Sequence, residues 1–203
     1  MLSTFISGIS AGVLIAIGGT VFLSCDSRYA GALLFAVALL CICWKGYYLF
    51  TGKIGYVTED HSAENVLRLV VGLAANLLTT LLLGLLLRYA LPNIGSVAEG
   101  LCAAKLQQSF LQTLIRASFC GILMYLAVSV YREQKTVLGI VFCIPVFILS
   151  GFEHSIADMF YFGTAGKMSF SVIGFIAAVV LGNTLGSVLL PLLNKGGKPR
   201  EKQ

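Results

Sequence analysis

Apolar residues run along this chain in six stretches separated by shorter polar ones. The first covers residues 5–24, about twenty residues, and at 1.5 Å per residue that is enough for one crossing of a bilayer. Gly8 and Gly12 form a Gly-x-x-x-Gly step within it, a spacing that lets another helix approach closely. After a turn around Asp26 and Arg28, the second run covers 30–48, flanked by Lys45 and Lys53. Gly46, Thr51, Gly52 and Gly55 interrupt it before the polar loop 58–64, which predicts a helix that breaks before it has finished crossing. The third run, 66–87, carries the amide Asn76 and is closed by Arg88, Pro92 and Asn93. A loop with Glu99 and Lys105 leads to the fourth, 110–131, where Arg116 is the only charge, and a polar turn at 132–136 follows. The fifth, 137–149, passes through a polar stretch and emerges by 162. The sixth, 170–193, contains Asn183 and a second Gly-x-x-x-Gly step at Gly182 and Gly186. The tail 194–203 is basic and polar, and is expected to be disordered and cytoplasmic.

The polar stretch in the fifth run places Glu153, His154 and Asp158 within the same crossing. Insertion scales put a charge at a helix centre at roughly 2.5–3.5 kcal/mol, so ionisable residues at membrane depth usually mark a pathway or relay. A loop at the membrane edge, with His154 facing water, is the plainer alternative, and position alone does not separate the two. His61 falls in the polar loop before the third run.

Composition fixes the class. Of 203 residues 58% are hydrophobic and 11% charged, against about 25% charged in soluble domains, and the mean hydropathy is +0.91. Residues 1–7 carry no basic residue and the first run continues without a cleavage pattern, so no signal peptide is expected. Cys25, Cys41, Cys43, Cys102, Cys120 and Cys143 show no Cys-x-x-Cys spacing and read as reduced packing residues. With six spans both ends share a side, which then holds Lys53, Arg68, Arg132, Lys135 and the basic tail; the other side holds Arg28, Arg88, Lys105 and Lys167. Basic residues favour the cytoplasmic face, so both termini are expected there, in the inner (plasma) membrane. The net charge of +5 then reflects topology, with no nucleic-acid surface in it. Each half has a long helix, a broken span and a third span with an asparagine: Ala75-Asn76-Leu77-Leu78 lines up with Gly182-Asn183-Thr184-Leu185. Three spans per half predict an inverted repeat, an arrangement that places a site near the midplane.

Those residues also carry a resemblance. Gly-Phe-Glu-His-Ser-Ile-Ala-Asp-Met at 151–159 resembles the Gly-Phe-Glu-His-Ser-x-Ala-Asn-Met signature of the formate–nitrite transporter family. Leu-Phe-Thr-Gly at 49–52 resembles the loop that breaks that family's second helix, residues 116–128 its fourth-helix pattern, and Gly182-Asn183 its sixth-helix pair. The resemblance implies an all-α integral membrane protein with six transmembrane helices in an aquaporin-like inverted repeat, helices 2 and 5 broken by pore loops. It implies one transmembrane channel domain at 1–193, a homopentamer, and one pore per protomer for small monovalent anions such as formate, nitrite or hydrosulfide, moving with a proton and without a cofactor. By matching position, His154 and Thr51 face each other at mid-pore, with Lys105, Asn183 and Glu153 on the substrate pathway. Phe35, Leu39, Leu49 and Phe50 match the cytoplasmic and central constrictions, and Phe147 and Met124 the outer one. The chain departs from the pattern at Gly121, Tyr48, Lys45 and Asp158, which stands in place of the usual asparagine. The amphipathic helix ahead of the first span has no counterpart in residues 1–4, and the loop 163–169 is short.

The residue types suit that function. Apolar rings cannot replace an anion's water shell, and a histidine, with an unperturbed pKa near 6.5, is the side chain suited to hand over a proton near neutral pH. A lysine raises the local anion concentration. Most of the 13 phenylalanines also have a packing reading. Other classes stay open: a neutral-solute channel of aquaporin type, or an intramembrane enzyme, since His154 and Asp158 lie four apart on one helix face. A metal needs three or four ligands and the sequence offers two at best, so neither a metal nor an enzyme is the expected reading.

Overall fold

The computed structural model describes residues 1–197, with side chains through Asn194. Helices α1 (Leu2–Ser24) and α2 (Arg28–Lys45) are followed by a short α3 (Phe50–Lys53), a 3-10 turn (Ile54–Thr58) and the long α4 (Ala63–Ala90). Then come α5 (Pro92–Leu106), α6 (Phe110–Gln134), α7 (Leu138–Leu149), α8 (Ser155–Ala165) and α9 (Phe170–Gly197). Five helices among the described residues are long and apolar enough to cross a membrane: α1, α2, α4, α6 and α9. The fifth apolar run is split. Its first part, α7, has 12 residues, about 18 Å at 1.5 Å per residue, little more than half of a ~30 Å hydrocarbon core.

Two expectations change. The segment between the third and fourth runs is the helix α5, started by Pro92 at its first turn. Its buried residues Ile94, Ala98, Cys102 and Lys105 follow a helical stripe. Helix α9 also continues through residues 194–197, so the first part of the basic tail is helical; residues 198–203 of that tail lie outside the described residues. The six cysteines are free, and Cys102 and Cys120 among them are fully buried.

The two halves repeat one construction. Helices α2 and α7 each end at a glycine in the left-handed region, Gly46 at φ 68° and Gly151 at φ 71°. In each case the next amide reaches back to close the last turn: Tyr47 N to Ile42 O at 3.0 Å, and Phe152 N to Phe147 O at 3.0 Å. The stretches that follow are not helical, and an asparagine on a long helix bonds each of them. Asn76 of α4 accepts from Phe50 N at 2.9 Å and donates to Tyr48 O at 3.0 Å and Gly8 O at 2.8 Å. Asn183 of α9 accepts from Ser155 N at 2.9 Å and donates to Glu153 O at 2.8 Å and Ala117 O at 2.9 Å. Both amides are fully buried. Buried backbone groups freed by a break in a helix need such partners.

The halves interlock through close backbone contacts. A Cβ on Gly84 of α4 would stand 2.6 Å from Phe160 O of α8, and one on Gly55 in the 3-10 turn 2.8 Å from Ser187 O of α9. Arg88 fastens α4 to α8 through Thr164 O at 3.1 Å and to α5 through Glu99 at 2.9 Å. Both Gly-x-x-x-Gly steps are used inside the chain: Gly8 and Gly12 meet Ala75 and Thr79 of α4, and Gly182 and Gly186 meet Ala117 and Ser118 of α6.

Asn183→Ala strands the buried Ser155 N–H and two carbonyls. At about 1–3 kcal/mol for each unsatisfied group, the melting temperature in detergent should fall sharply, or the protein should fail to accumulate. Gly186→Ala, whose Cβ would stand 1.8 Å from Ser118 O, should destabilise by forcing α6 and α9 apart. Gly100→Ala, with nothing within 4 Å, should be neutral or stabilise by up to about 1 kcal/mol.

Candidate functional site

The breaks meet at the centre of the molecule. His154 is the N-cap of α8, and its Nδ1 accepts the Ala157 N–H at 3.1 Å. With Nδ1 occupied as an acceptor, the neutral ring carries its proton on Nε2. That nitrogen lies 2.9 Å from Thr51 Oγ1 and so donates to it. The threonine hydroxyl keeps its own hydrogen to donate elsewhere. Both side chains are buried.

Two cavities lie close to this pair: His154 lines the larger, and Gly52, next to Thr51 in the chain, lines the smaller. The larger, about 200 Å³, is lined by Phe35, Phe147 and His154 together with Lys105, Glu153 and Asp158. The smaller, about 70 Å³, is lined by Leu39, Leu49 and Gly52, with Lys53 and Arg132. The rings form a stacked set: Phe147 lies parallel to His154 with centroids 5.6 Å apart, and Phe35 meets Phe147 edge-on at 6.5 Å.

At the larger cavity Lys105 projects from the end of α5 between two carboxylates. Its ammonium binds Glu153 Oε2 and lies 2.9 Å from Asp158 Oδ1. Gln108 donates to Glu153 Oε1 at 2.7 Å. The ammonium also sits 5.9 Å from the Tyr161 ring centroid. The lysine expected to draw anions is therefore already paired. A buried cation held by two acidic groups presents little free field to an incoming anion.

The predicted site residues divide accordingly. Thr51, His154, Phe35 and Phe147 come together, Lys105 and Glu153 form the charged cluster, and Leu39 and Leu49 line the smaller cavity. Phe35 thus stands with Phe147 on the larger cavity, apart from Leu39 and Leu49. Three residues fall elsewhere. Asn183 lines neither cavity, because its amide is spent on backbone behind the break. Phe50 points away and packs with Ile54 and Leu69. Met124 is buried in the main core and lines neither cavity. His61 is exposed. The sequence reading passed over Gln108, Asp158 as a partner of Lys105, and the arginines Arg28 and Arg116 at the larger cavity. Asp158 did carry a signal, as a departure from the family signature.

Comparison with known proteins agrees with this architecture. The sequence model of the formate/nitrite transporter family matches residues 1–194. An uncharacterized transporter of Bacillus subtilis (strain 168), YwcJ, is 30% identical over 161 residues, 70% of this chain. The match spans 62% of that relative's length. A pentameric formate channel with formate bound has the same fold, with a TM-score of 0.77 at 23% identity over 95% of both chains. An ion channel of the same family gives a TM-score of 0.79 at 23% identity, over 98% of this chain and 89% of that one. With its several apolar helices and a family match over nearly the whole sequence, this chain is a multi-pass membrane protein and belongs to the formate/nitrite transporter family.

Proposed function

We propose that the chain is a channel or transporter for small monovalent anions of the formate, nitrite or hydrosulfide kind, each moving with a proton. The observation that carries this reading is the buried Thr51–His154 pair, with His154 on the larger cavity beside Phe35 and Phe147 and Gly52, next to Thr51, on the smaller. An anion crossing such rings loses its water, and Thr51 is the group that meets it with a hydrogen-bond donor. His154, on the other side of the hydroxyl, is the proton relay. An anion that takes a proton there passes the apolar rings as its neutral acid, avoiding the cost of a bare charge at membrane depth.

In this reading residues 1–193 form the channel domain and 194–203 a cytoplasmic tail. The split α7 and α8 together make a sixth crossing, α2 and α3 another broken one, and the halves run in opposite directions. The matching asparagine bonds and glycine caps of the two halves support it. The bias of Lys and Arg supports cytoplasmic termini in the inner (plasma) membrane, with Lys53 and Arg132 on the inner cavity. A homopentamer with one pathway per protomer is proposed from the pentameric relative. An apolar ridge on α1, with Leu2, Ile6, Val13 and Ile17 exposed, supports burial in lipid or against a neighbour.

Two measurements test this. In proteoliposomes, wild type should take up formate with protons, and His154→Gln should fold and assemble but lose the coupled proton uptake. Wild-type proton uptake with formate retained in that variant from pH 5 to 8 would sink the relay. Lys105→Ala leaves Glu153 and Asp158 facing each other without a cation. Breaking a buried pair costs about 3–5 kcal/mol, so its melting temperature should drop well below that of wild type. Adding Glu153→Gln and Asp158→Asn should restore most of the loss.

A further inference from the structure

The smaller cavity carries two cations and no acid. Lys53, from the end of α3, and Arg132, from the last turn of α6, share its wall with Leu39, Leu49 and Gly52. No carboxylate lines it, and among the described residues neither cation forms an ion pair. Packing brings the two to one place. A Cβ on Gly52, next to Lys53, would stand 3.3 Å from Val128 Cγ2, and Val128 and Arg132 lie one turn apart on one face of α6. Both cations rest on rings: the Arg132 guanidinium carbon lies 3.9 Å from the Tyr56 centroid, and the Lys53 ammonium 6.0 Å from that of Tyr48. Such contacts hold a cation against the π face and leave its N–H donors for another partner.

The larger cavity is built differently. Arg28 and Arg116 are on its wall, but so are Glu153 and Asp158, and Arg28 also reaches Ile148 O at 3.4 Å. An oxyanion entering there meets acidic side chains as well as basic ones. Around the smaller cavity the acids nearest in sequence, Glu59 and Glu133, are exposed and off its wall. Lys53 is half-buried and feels the charge of Arg132. Two like charges on one small wall repel, and an anion bridging them removes that repulsion as it binds.

Resting on the transport reading above, we propose that Lys53 and Arg132 form a site for a doubly charged oxyanion of the phosphate kind, which blocks the pathway at the smaller cavity. The guanidinium fork suits two oxygens of such an ion and the ammonium a third. Two positive charges match its two negative ones, and about 70 Å³ leaves room for a small ion. Charge then decides between passage and block. The single proton relayed by His154 makes a monovalent anion neutral but leaves a dianion charged, and a charge is costly at membrane depth. A formate-like ion therefore moves on, whereas a dianion stays on Lys53 and Arg132. Because the larger cavity sets acids beside its arginines, the block acts from the face that bears the smaller cavity.

The experiment measures formate uptake into proteoliposomes with inorganic phosphate or AMP on both faces, and chloride at matched ionic strength as the control. Phosphorus NMR line broadening follows the binding of phosphate to the purified protein in detergent. Phosphate should slow formate uptake more than chloride does. Lys53→Gln and Arg132→Gln should each raise the phosphate concentration for half inhibition about tenfold, the size expected from losing one charge-assisted hydrogen bond, and should weaken binding to match. Arg28→Gln should leave inhibition and binding unchanged. AMP, which presents the same dianion on a bulky ester, separates the sources: inhibition equal to that by phosphate assigns the site to phosphate monoesters, and weaker inhibition to the free ion. Phosphate that neither binds wild type nor slows formate overturns the proposal, as does inhibition unaltered in Lys53→Gln and Arg132→Gln. If those variants fail to assemble, the side of action in wild type decides, and equal inhibition by phosphate added to right-side-out and to inside-out vesicles overturns it. Wild type that moves no formate overturns the transport reading itself, a result distinct from the loss of phosphate binding.

Discussion

Buried backbone amides and carbonyls that leave a helix have no water to turn to, and this constraint organises the molecule. Asn76 and Asn183 answer it in the same way, each holding one N–H and one C=O of a break and one carbonyl of a neighbouring helix. With three bonds apiece and no exposure, each amide is close to saturated. The breaks they hold bring Thr51 and His154 within 2.9 Å of each other across 103 positions of sequence. Without the two amides the first N–H of each short helix, Phe50 of α3 and Ser155 of α8, would lose its partner.

Around that centre the molecule separates apolar barrier from charge. Phe35, Phe147 and His154 line one part of the larger cavity with their rings in contact, and Lys105, Glu153 and Asp158 gather where α5 meets the second break and α8. Their desolvation is offset by mutual pairing and by Gln108, whose own carbonyl receives Thr113 at 3.5 Å. Helix α5 matters here as a wall: Ala98 and Cys102 are fully buried, and Lys105 extends from the same face.

Hydrophobic length made the apolar runs legible in the sequence, because a span of about twenty apolar residues leaves little other reading. The asparagine correspondence was legible too, since an amide inside an apolar run must find partners. Helix α5 was not: its stripe is short, follows Pro92 and ends in Lys105, so it reads as a polar loop. The charged cluster could be only half anticipated. Glu153 and Asp158 sit in one motif, but Lys105 lies 48 positions before Glu153 and only tertiary packing brings them together. Phe50 shows the limit in the breaks themselves. Leu49 and Phe50 are adjacent, yet one faces the smaller cavity and the other packs with Leu69, and irregular backbone offers no period from which to tell them apart.

The asparagine bonds fall on backbone atoms alone, and this has a consequence for substitution. Tyr48 and Glu153 occupy the same place in the two breaks and offer the same carbonyl to the same amide, yet one is a phenol and the other an acid. The scaffold is indifferent to the side chains it displays at these positions. A substitution at either place changes the side chain and leaves the bond that holds the break untouched, whether that side chain lines a cavity, as Glu153 does, or packs among apolar neighbours, as Tyr48 does.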